Sequence, residues 1–288
     1  MTPGILAAIL LAASPLLRAA EPAPEAEVRV PAEFKERYEK ALQYFSKGEY
    51  SRGILEWTEI LRKDEEQRTA QQMIRLAREQ IDKRDKDKQD LFFAAAADGD
   101  YPRALVALQT LLERDSLHPL YQSLQNRLER VLEVVERAPR SKPWQAGVKG
   151  LTGYLARDED LALAYNGLRY AVEQNDEEPR FKKLIKVVLL ENPQLAEDVV
   201  TPGMKLLDYK RFVALNHIYD GKYHLAVKTL NQVLQLEPND VLALKRQGSA
   251  YFGLKRYQEA RGVWLRALEL SPNDEQLKLF INRTKETP

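Results

Sequence analysis

The sequence predicts an all-α protein, an α-solenoid of antiparallel helix pairs with an irregular helical segment in its middle. Strong helix formers (Leu, Ala, Glu, Arg, Lys and Gln) dominate the 288 residues. Runs of alternating β-branched residues joined by Asn-Gly turns, which would indicate a sheet, do not occur. A motif returns at a fixed spacing near the C-terminus, which is typical of stacked helical repeats because each unit buries its apolar face against its neighbour.

A 34-residue period is clearest in two stretches, DGKYHLAVKTLNQVLQLEPND from Asp220 and LKRYQEARGVWLRALELSPND from Leu254. Five positions recur at that spacing: Tyr223 as Tyr257, Ala226 as Ala260, Leu230 as Trp264, Val233 as Ala267 and Pro238 as Pro272. Small residues let two helices approach closely, large ones fill the space around the contact, and proline ends the second helix. The period therefore predicts complete helix pairs over Leu207–Asp240 and Val241–Asp274.

Weaker copies of the motif occur earlier in the chain. They predict units at Phe34–Gln67 and at about Asp85–His118, and a degenerate unit at Glu159–Pro179, giving about five units. Residues 67–98 contain neither Gly nor Pro, which predicts one long helix, or two helices with a break near the charged run DKRDKDKQD at Asp82–Asp90. That run is either a solvated helix face with ion pairs or an exposed docking patch.

The middle of the chain departs from the period. Helices are expected at Leu120–Arg137 and Phe181–Glu191, with breaks at Ala138–Trp144 and Asn192–Met204, where prolines cluster. The sequence FKKLIKVVLLE at 181–191 fits a buried helix whose lysines reach water, or a helix lying on a membrane surface. A last helix within Asn273–Glu286 is expected to cover the open end of the stack.

The N-terminal segment is different in kind. The apolar stretch Gly4–Leu17 is too short to span a bilayer comfortably, and its small-residue end fits a secretory signal, with a retained anchor or a frayed apolar helix as alternatives. No later segment is apolar enough to cross a membrane. The expected organisation is a signal peptide at 1–20, a flexible Pro/Glu leader at 21–32, a repeat region at 33–138, an irregular helical middle with one degenerate repeat at 139–203, and a C-terminal repeat pair with a capping helix at 204–286.

The composition argues against several kinds of site. Absence of cysteine excludes disulfides and thiol chemistry, and 44 basic against 43 acidic residues leave no overall basic field for nucleic acid. The three histidines, His118, His217 and His224, fit ordinary repeat and turn positions. No Gly-rich phosphate loop, nucleophile elbow or His-Glu-x-x-His helix occurs. We therefore expect a non-enzymatic protein with no cofactor, no metal and no nucleic-acid partner.

The paired-helix motif resembles the tetratricopeptide repeat (TPR), in which small residues at positions 8 and 20 of a 34-residue unit pack two antiparallel helices. In the last unit these positions hold Gly248 and Ala260. The resemblance implies that positions 2, 5, 9, 12 and 13 of each first helix face a partner-binding groove. With the adjacent Arg246, the candidate lining is Asp208, Arg211, Leu215, Ile218, Tyr219, Leu242, Lys245, Arg246, Ser249 and Phe252.

This lining is basic and aromatic, which suits an extended or helical peptide with acidic groups and an apolar anchor. Chaperone-binding members of the family clamp a C-terminal carboxylate with Lys and Asn at fixed positions. Lys245 matches in type, but Ser249 replaces the Asn, so that activity is not carried over.

The leading hypothesis is a binding scaffold exported to the bacterial periplasm or cell envelope. It would hold protein partners of a larger motility, secretion or surface-polymer assembly. The main alternative is a structural subunit that assembles through its convex face and middle helices without a peptide ligand, in which case a homo-oligomer is possible. A hidden enzyme and a cytoplasmic co-chaperone are the remaining alternatives.

Overall fold

The computed structural model describes residues 32–284, which form thirteen α-helices and two short 3-10 turns and contain no β-strand. The all-α, paired-helix prediction is confirmed. The predicted signal peptide at 1–20 and all of the predicted leader except Ala32 lie outside the described residues. Within 32–284, no helix has the length and apolar character needed to cross a membrane.

The described chain divides into two compact units, one up to Arg78 and one from Glu79 onward, with the boundary inside a helix. The first unit contains a 3-10 turn at Ala32–Phe34, α1 (Lys35–Ser46), α2 (Tyr50–Lys63) and the first part of α3 (Arg68–Ala97). Its core surrounds the fully buried Trp57 and Ile60. The first predicted repeat is therefore a packed pair, α1 with α2.

The second unit contains the rest of α3 and ten further α-helices. These are α4 (Tyr101–Arg114), α5 (Pro119–Leu132), α6 (Lys142–Tyr154), α7 (Leu161–Gln174), α8 (Pro179–Glu191), α9 (Leu206–Tyr219), α10 (Tyr223–Leu236), α11 (Val241–Gly253), α12 (Tyr257–Leu270) and α13 (Glu275–Arg283), with a 3-10 turn at Pro193–Glu197 before α9. Two loops interrupt the helices, one at 133–141 and one at 192–205, and the second contains that 3-10 turn. Both lie close to the breaks predicted from proline.

The repeat positions have the burial that the sequence pattern requires. The alanines at position 20 of four units, Ala104, Ala164, Ala226 and Ala260, are all fully buried. The turn between the two helices needs a left-handed residue, and Gly48, Gly99 and Gly221 supply it in three units, whereas Lys255 adopts φ 61° in the last. Both features confirm the register of the repeat.

Two helix predictions are resolved or corrected. The segment 67–98 is one helix, α3, without a break in its charged run. The helix expected at Leu120–Arg137 ends at Leu132, because residues 133–138 turn back over the α3–α4 connection. There Tyr101 N–H donates to Glu136 O at 3.2 Å and Ala138 N–H donates to Gly99 O at 2.9 Å. These long-range bonds replace the helical bonds that the local sequence favours.

The charged run on α3 is not a uniformly solvated face. Asp85 has no solvent exposure and Gln89 is also buried. Arg84 Nε donates to Asp85 Oδ1 at 2.8 Å, and the Tyr121 hydroxyl donates to Asp85 Oδ2 at 3.0 Å. The run therefore includes a buried polar cluster that joins α3 to α5, and the docking-patch alternative does not apply to Asp85.

The last helix, α13, packs on the final repeat. Asp274 caps its N-terminus by accepting a hydrogen bond from Leu277 N at 3.1 Å. Leu277 and Ile281 are buried, and the Phe280 ring lies 5.0 Å from the Trp264 ring. The apolar face of α13 therefore covers the final repeat.

Ala260→Leu should lower the free energy of unfolding by about 2 kcal/mol, because a larger side chain at the contact between α11 and α12 overpacks it. The contact is tight: a Cβ added at Gly248 would clash with the indole of Trp264, whose Nε1 donates to Lys245 O at 3.0 Å. Urea unfolding measures the change. A variant as stable as the wild type would contradict the assigned register.

Candidate functional site

The predicted partner-binding residues all lie on α9 and α11, the first helices of the two C-terminal repeats. Residues that share a repeat position are 34 apart, as Arg211 and Lys245 are. The same period reaches Leu279 on α13, which sequence reasoning missed and which is 62% exposed. We call the ten predicted residues together with Leu279 the helix-A face.

Each of the two cations at position 5 pairs with the aspartate that caps the first helix of the next unit. Arg211 forms ion pairs with Asp240 and with Asp208. Lys245 Nζ lies 2.7 Å from Asp274 Oδ2. In both units the acid stands 29 residues after the cation, and it is also the N-cap residue of the following helix. These cations therefore connect successive repeats, and their charge is largely compensated within the protein.

Each capping carboxylate also accepts a hydrogen bond from the backbone of the helix that it caps. Asp240 accepts a hydrogen bond from Ala243 N at 2.8 Å, as Asp274 does from Leu277 N. The Lys245 ammonium and the helix N-terminus hold the pKa of Asp274 below its ordinary value. The spacing of 29 residues could have been found from the sequence, since a basic residue at position 5 and Asp at position 34 recur in both units.

Arg246 is the third cation of this face. Its guanidinium donates to the Arg211 carbonyl at 2.8 Å, and within residues 32–284 it forms no ion pair with a carboxylate. Burial first, and then the neighbouring Arg211 charge, lower the pKa of Arg246. A carboxylate supplied by another molecule would relieve this unfavourable environment.

The apolar members of the face differ in exposure. Tyr219 is 79% exposed and Leu242 is also exposed, while Leu215 and Ile218 are half-buried. Phe252 packs inward instead, with its ring 5.2 Å from that of Tyr257 and 5.9 Å from that of Trp264. The accessible apolar surface is thus formed by Tyr219, Leu242 and Leu279 rather than by Phe252.

Ser249 contributes little to this surface. Its hydroxyl donates to the Lys245 carbonyl at 3.1 Å, within its own helix. This bond uses the donor that a partner would otherwise contact.

A cavity of about 410 Å3 adjoins the face at the N-terminal end of α9. It is lined by Tyr170, Lys205, Leu207, Asp208, Arg211, Glu237, Asn239 and Asp240. The Tyr170 hydroxyl donates to Glu237 Oε1 at 2.8 Å, which connects α7 to the end of α10. Sequence reasoning missed Tyr170, because α7 belongs to the degenerate unit, for which no groove positions were assigned. It missed Glu237 because this residue follows the second helix α10, whereas groove positions were assigned only on first helices.

Among residues 32–284, no three His, Asp or Glu side chains come together to hold a metal ion.

His118, next to Pro119, is stacked on Tyr121 with the ring centroids 3.9 Å apart. Burial lowers the pKa of His118.

The comparison with protein families agrees with the repeat in the C-terminal helix pairs. The tetratricopeptide repeat model matches residues 214–275, and no curated protein matches the chain. Similar solved structures include the P58(IPK) TPR domain, at 17% identity and TM-score 0.28, covering 88% of this chain and 78% of that one. Another is the TPR2AB-domain:pHSP90 complex of yeast Sti1, at 13% identity and TM-score 0.28, covering 88% and 83%. The family match lies on the C-terminal helix pairs described above, so this part of the chain is similar to the tetratricopeptide repeat.

Proposed function

We propose that this chain is a non-enzymatic scaffold of the bacterial periplasm or cell envelope that binds a segment of a partner protein on its helix-A face. The observation that supports this most directly is the combination of Arg246, which lacks a carboxylate partner among residues 32–284, with the exposed Tyr219 and Leu242. Tyr and Arg are the residues that most often dominate binding energy at protein interfaces.

The partner chemistry follows from this combination. Arg211 and Lys245 are occupied by Asp240 and Asp274, so Arg246 is the cation that a partner's carboxylate would meet. An apolar side chain of the partner would contact Tyr219 and Leu242. We therefore propose a segment that carries an acidic residue beside an apolar anchor.

Export is proposed from the sequence of the N-terminal segment. The apolar stretch at 4–17 has the length and small-residue ending of a secretory signal, and a chain without cysteine suits an oxidising compartment. The partners would then belong to an envelope assembly such as a motility, secretion or surface-polymer machine.

A structural subunit is the second candidate, and exposed apolar residues in the middle segment favour it. Leu190 at the end of α8 is 73% exposed, and Val199 in the following loop is exposed to a similar degree. A neighbouring subunit that packed on this segment would remove these two side chains from water. This candidate predicts assembly without a peptide ligand.

Tyr219→Ala/Arg246→Gln is expected to weaken partner binding at least about 10-fold, because the loss of a central Tyr and Arg typically costs more than 1.4 kcal/mol. A photo-crosslinking residue at position 242 would first capture the partner in fractionated cells of the producing bacterium. The affinity of the purified partner is then measured for wild type and variant.

Leu225→Ala/Lys228→Gln is the matched control, since both residues lie exposed on the second helix α10. Equal weakening by both pairs would contradict binding on the helix-A face. Loss of assembly in Leu190→Asp, with the Tyr219/Arg246 variant unaffected, would favour the structural subunit. Recovery of the chain only in the cytoplasmic fraction would contradict export.

A further inference from the structure

A second surface of the second unit lies where the chain departs from the repeat. Two cavities of about 480 and 300 Å3 share the lining residues Ala97 and Thr152, so they adjoin. They run between the C-terminal end of α3 and α6, with residues 138–140 at one end and Leu155–Arg157 at the other. We call this surface the α3–α6 groove.

The groove exists because α5 ends early. After Leu132 the chain turns back, and the Ala138 N–H donates to Gly99 O at 2.9 Å. Gly99 permits this approach, since a Cβ added there would lie 2.6 Å from the Cβ of Ala138. This crossing positions residues 138–140 and the start of α6 as the second wall of the groove. A regular repeat would have continued α5 through these positions.

Small and apolar side chains form the floor. Ala96 and Ala97 of α3 face Thr152 and Ala156 across the groove, and their short side chains leave the space unfilled. The half-buried Phe93 and Val148 extend this apolar floor in the two cavities. The floor can therefore receive an aliphatic side chain, which gains about 25 cal/mol for each Å2 of apolar surface removed from water.

The side of the groove formed by residues 138–157 is basic. Arg140 and Lys149 line the larger cavity, and within residues 32–284 neither forms an ion pair. Arg157 lines the smaller cavity and is held by Asp82 at 3.3 Å and by Gln89. Asp98 is the one acidic residue that lines either cavity. The charge of this side thus complements an anionic ligand.

We propose that the α3–α6 groove is a second protein-binding site, which takes an acidic segment of a partner with an aliphatic residue between carboxylates. The aliphatic side chain fills the alanine floor, and the carboxylates lie against Arg140 and Lys149. The proposal is independent of the helix-A face, because the two surfaces share no residue.

The test uses a fluorescein-labelled, end-blocked peptide, Glu-Asp-Leu-Ala-Val-Asp-Glu, titrated with the purified chain and followed by fluorescence anisotropy. Arg140→Glu/Lys149→Glu is expected to weaken binding at least about 10-fold, because the attraction of both cations for the peptide becomes repulsion. Thr152→Trp, which fills the groove without changing charge, should weaken it similarly. Lys183→Glu/Lys228→Glu changes the net charge equally at other exposed positions and should leave binding within about 2-fold.

Three results would overturn the proposal. One is equal weakening by the groove reversal and by the Lys183/Lys228 control. Another is that the peptide Glu-Asp-Gly-Ser-Gly-Asp-Glu, which has no aliphatic centre, binds as tightly as the first peptide. Its charge alone would then be sufficient for binding. The third is a concentration-dependent dimer that Thr152→Trp abolishes, which would identify a second copy of this chain as the occupant. Tyr219→Ala/Arg246→Gln should leave binding of this peptide unchanged. A wrong proposal for the α3–α6 groove can therefore be distinguished from a wrong proposal for the helix-A face.

Discussion

Asp85→Asn is expected to lower the free energy of unfolding by about 3 kcal/mol, because breaking a buried ion pair leaves charged partners uncompensated. The Asp85 carboxylate has no solvent exposure and accepts hydrogen bonds from Arg84 at 2.8 and 2.9 Å and from Tyr121 at 3.0 Å. The loss should lie at the low end of the usual 3–5 kcal/mol, since the side chains of Arg84 and Arg114 keep 28% and 40% exposure to water.

Asp82→Asn is the matched control, one turn earlier on the same helix. The Asp82 side chain is 60% exposed and lies 3.3 Å from Arg157, so its loss should change the free energy of unfolding by less than about 1 kcal/mol. Urea unfolding at neutral pH compares the two variants. Equal effects would show that the cluster around Asp85 contributes no more than a surface ion pair.

The Asp85 cluster also has a defined pH dependence. Burial alone raises the pKa of Asp85, but hydrogen bonds and charge from Arg84, with further bonds from Tyr121 and Arg114, together outweigh it and hold the pKa below its ordinary value. The contribution to stability is therefore complete above about pH 4 and is lost as the pH falls through the lower folded-state pKa. The difference between wild type and Asp85→Asn should shrink at about pH 3 relative to about pH 7.

The burial of Asp85 illustrates what the sequence could not predict. The run DKRDKDKQD reads as a solvated helix face, since charged residues are rarely buried without partners. Its partner Tyr121 stands 36 residues away on α5. No local periodicity connects the two positions, because α3 and α5 meet outside the regular repeat.

The C-terminal repeats could be predicted because, unlike the Asp85 cluster, they follow a regular period in the sequence. Their small and large residues recur at a single spacing, and the burial of Ala226 and Ala260 follows from that spacing alone. The positions of the helix-A face follow in the same way, but the occupation of Arg211 and Lys245 by capping carboxylates depends on side-chain contacts between units.

The early end of α5 results from competition between local helical hydrogen bonds and hydrogen bonds to residues distant in sequence. Residues 133–137 carry no Gly or Pro, so the sequence favours a longer helix. In the folded chain, the carbonyl of Glu136 instead accepts from Tyr101 N, and Val135 is buried. Tertiary packing overrides the modest helix propensity of this segment.

Gly167→Leu is expected to lower the free energy of unfolding by at least about 3 kcal/mol, because α6 and α7 cross with glycine against glycine. A Cβ added at Gly167 would lie 2.6 Å from Gly150 Cα, and one at Gly150 would lie 2.9 Å from Ala164 O. The atoms met are backbone atoms of the facing helix, which cannot rotate away, so the cost should exceed that of Ala260→Leu. The unit with the weakest sequence match thus contains one of the closest helix contacts.

Gly262→Leu is the matched control and should act in the opposite direction. Gly262 lies exposed within α12, and an added Cβ there would meet nothing within 4 Å. Replacing glycine by a good helix former in such an open position stabilises a helix by about 0.5–1 kcal/mol. The two variants make the same chemical change, so opposite signs in urea unfolding would isolate the backbone contact between α6 and α7 as the cause. Stabilisation by both would mean that the two helices do not cross at Gly150 and Gly167.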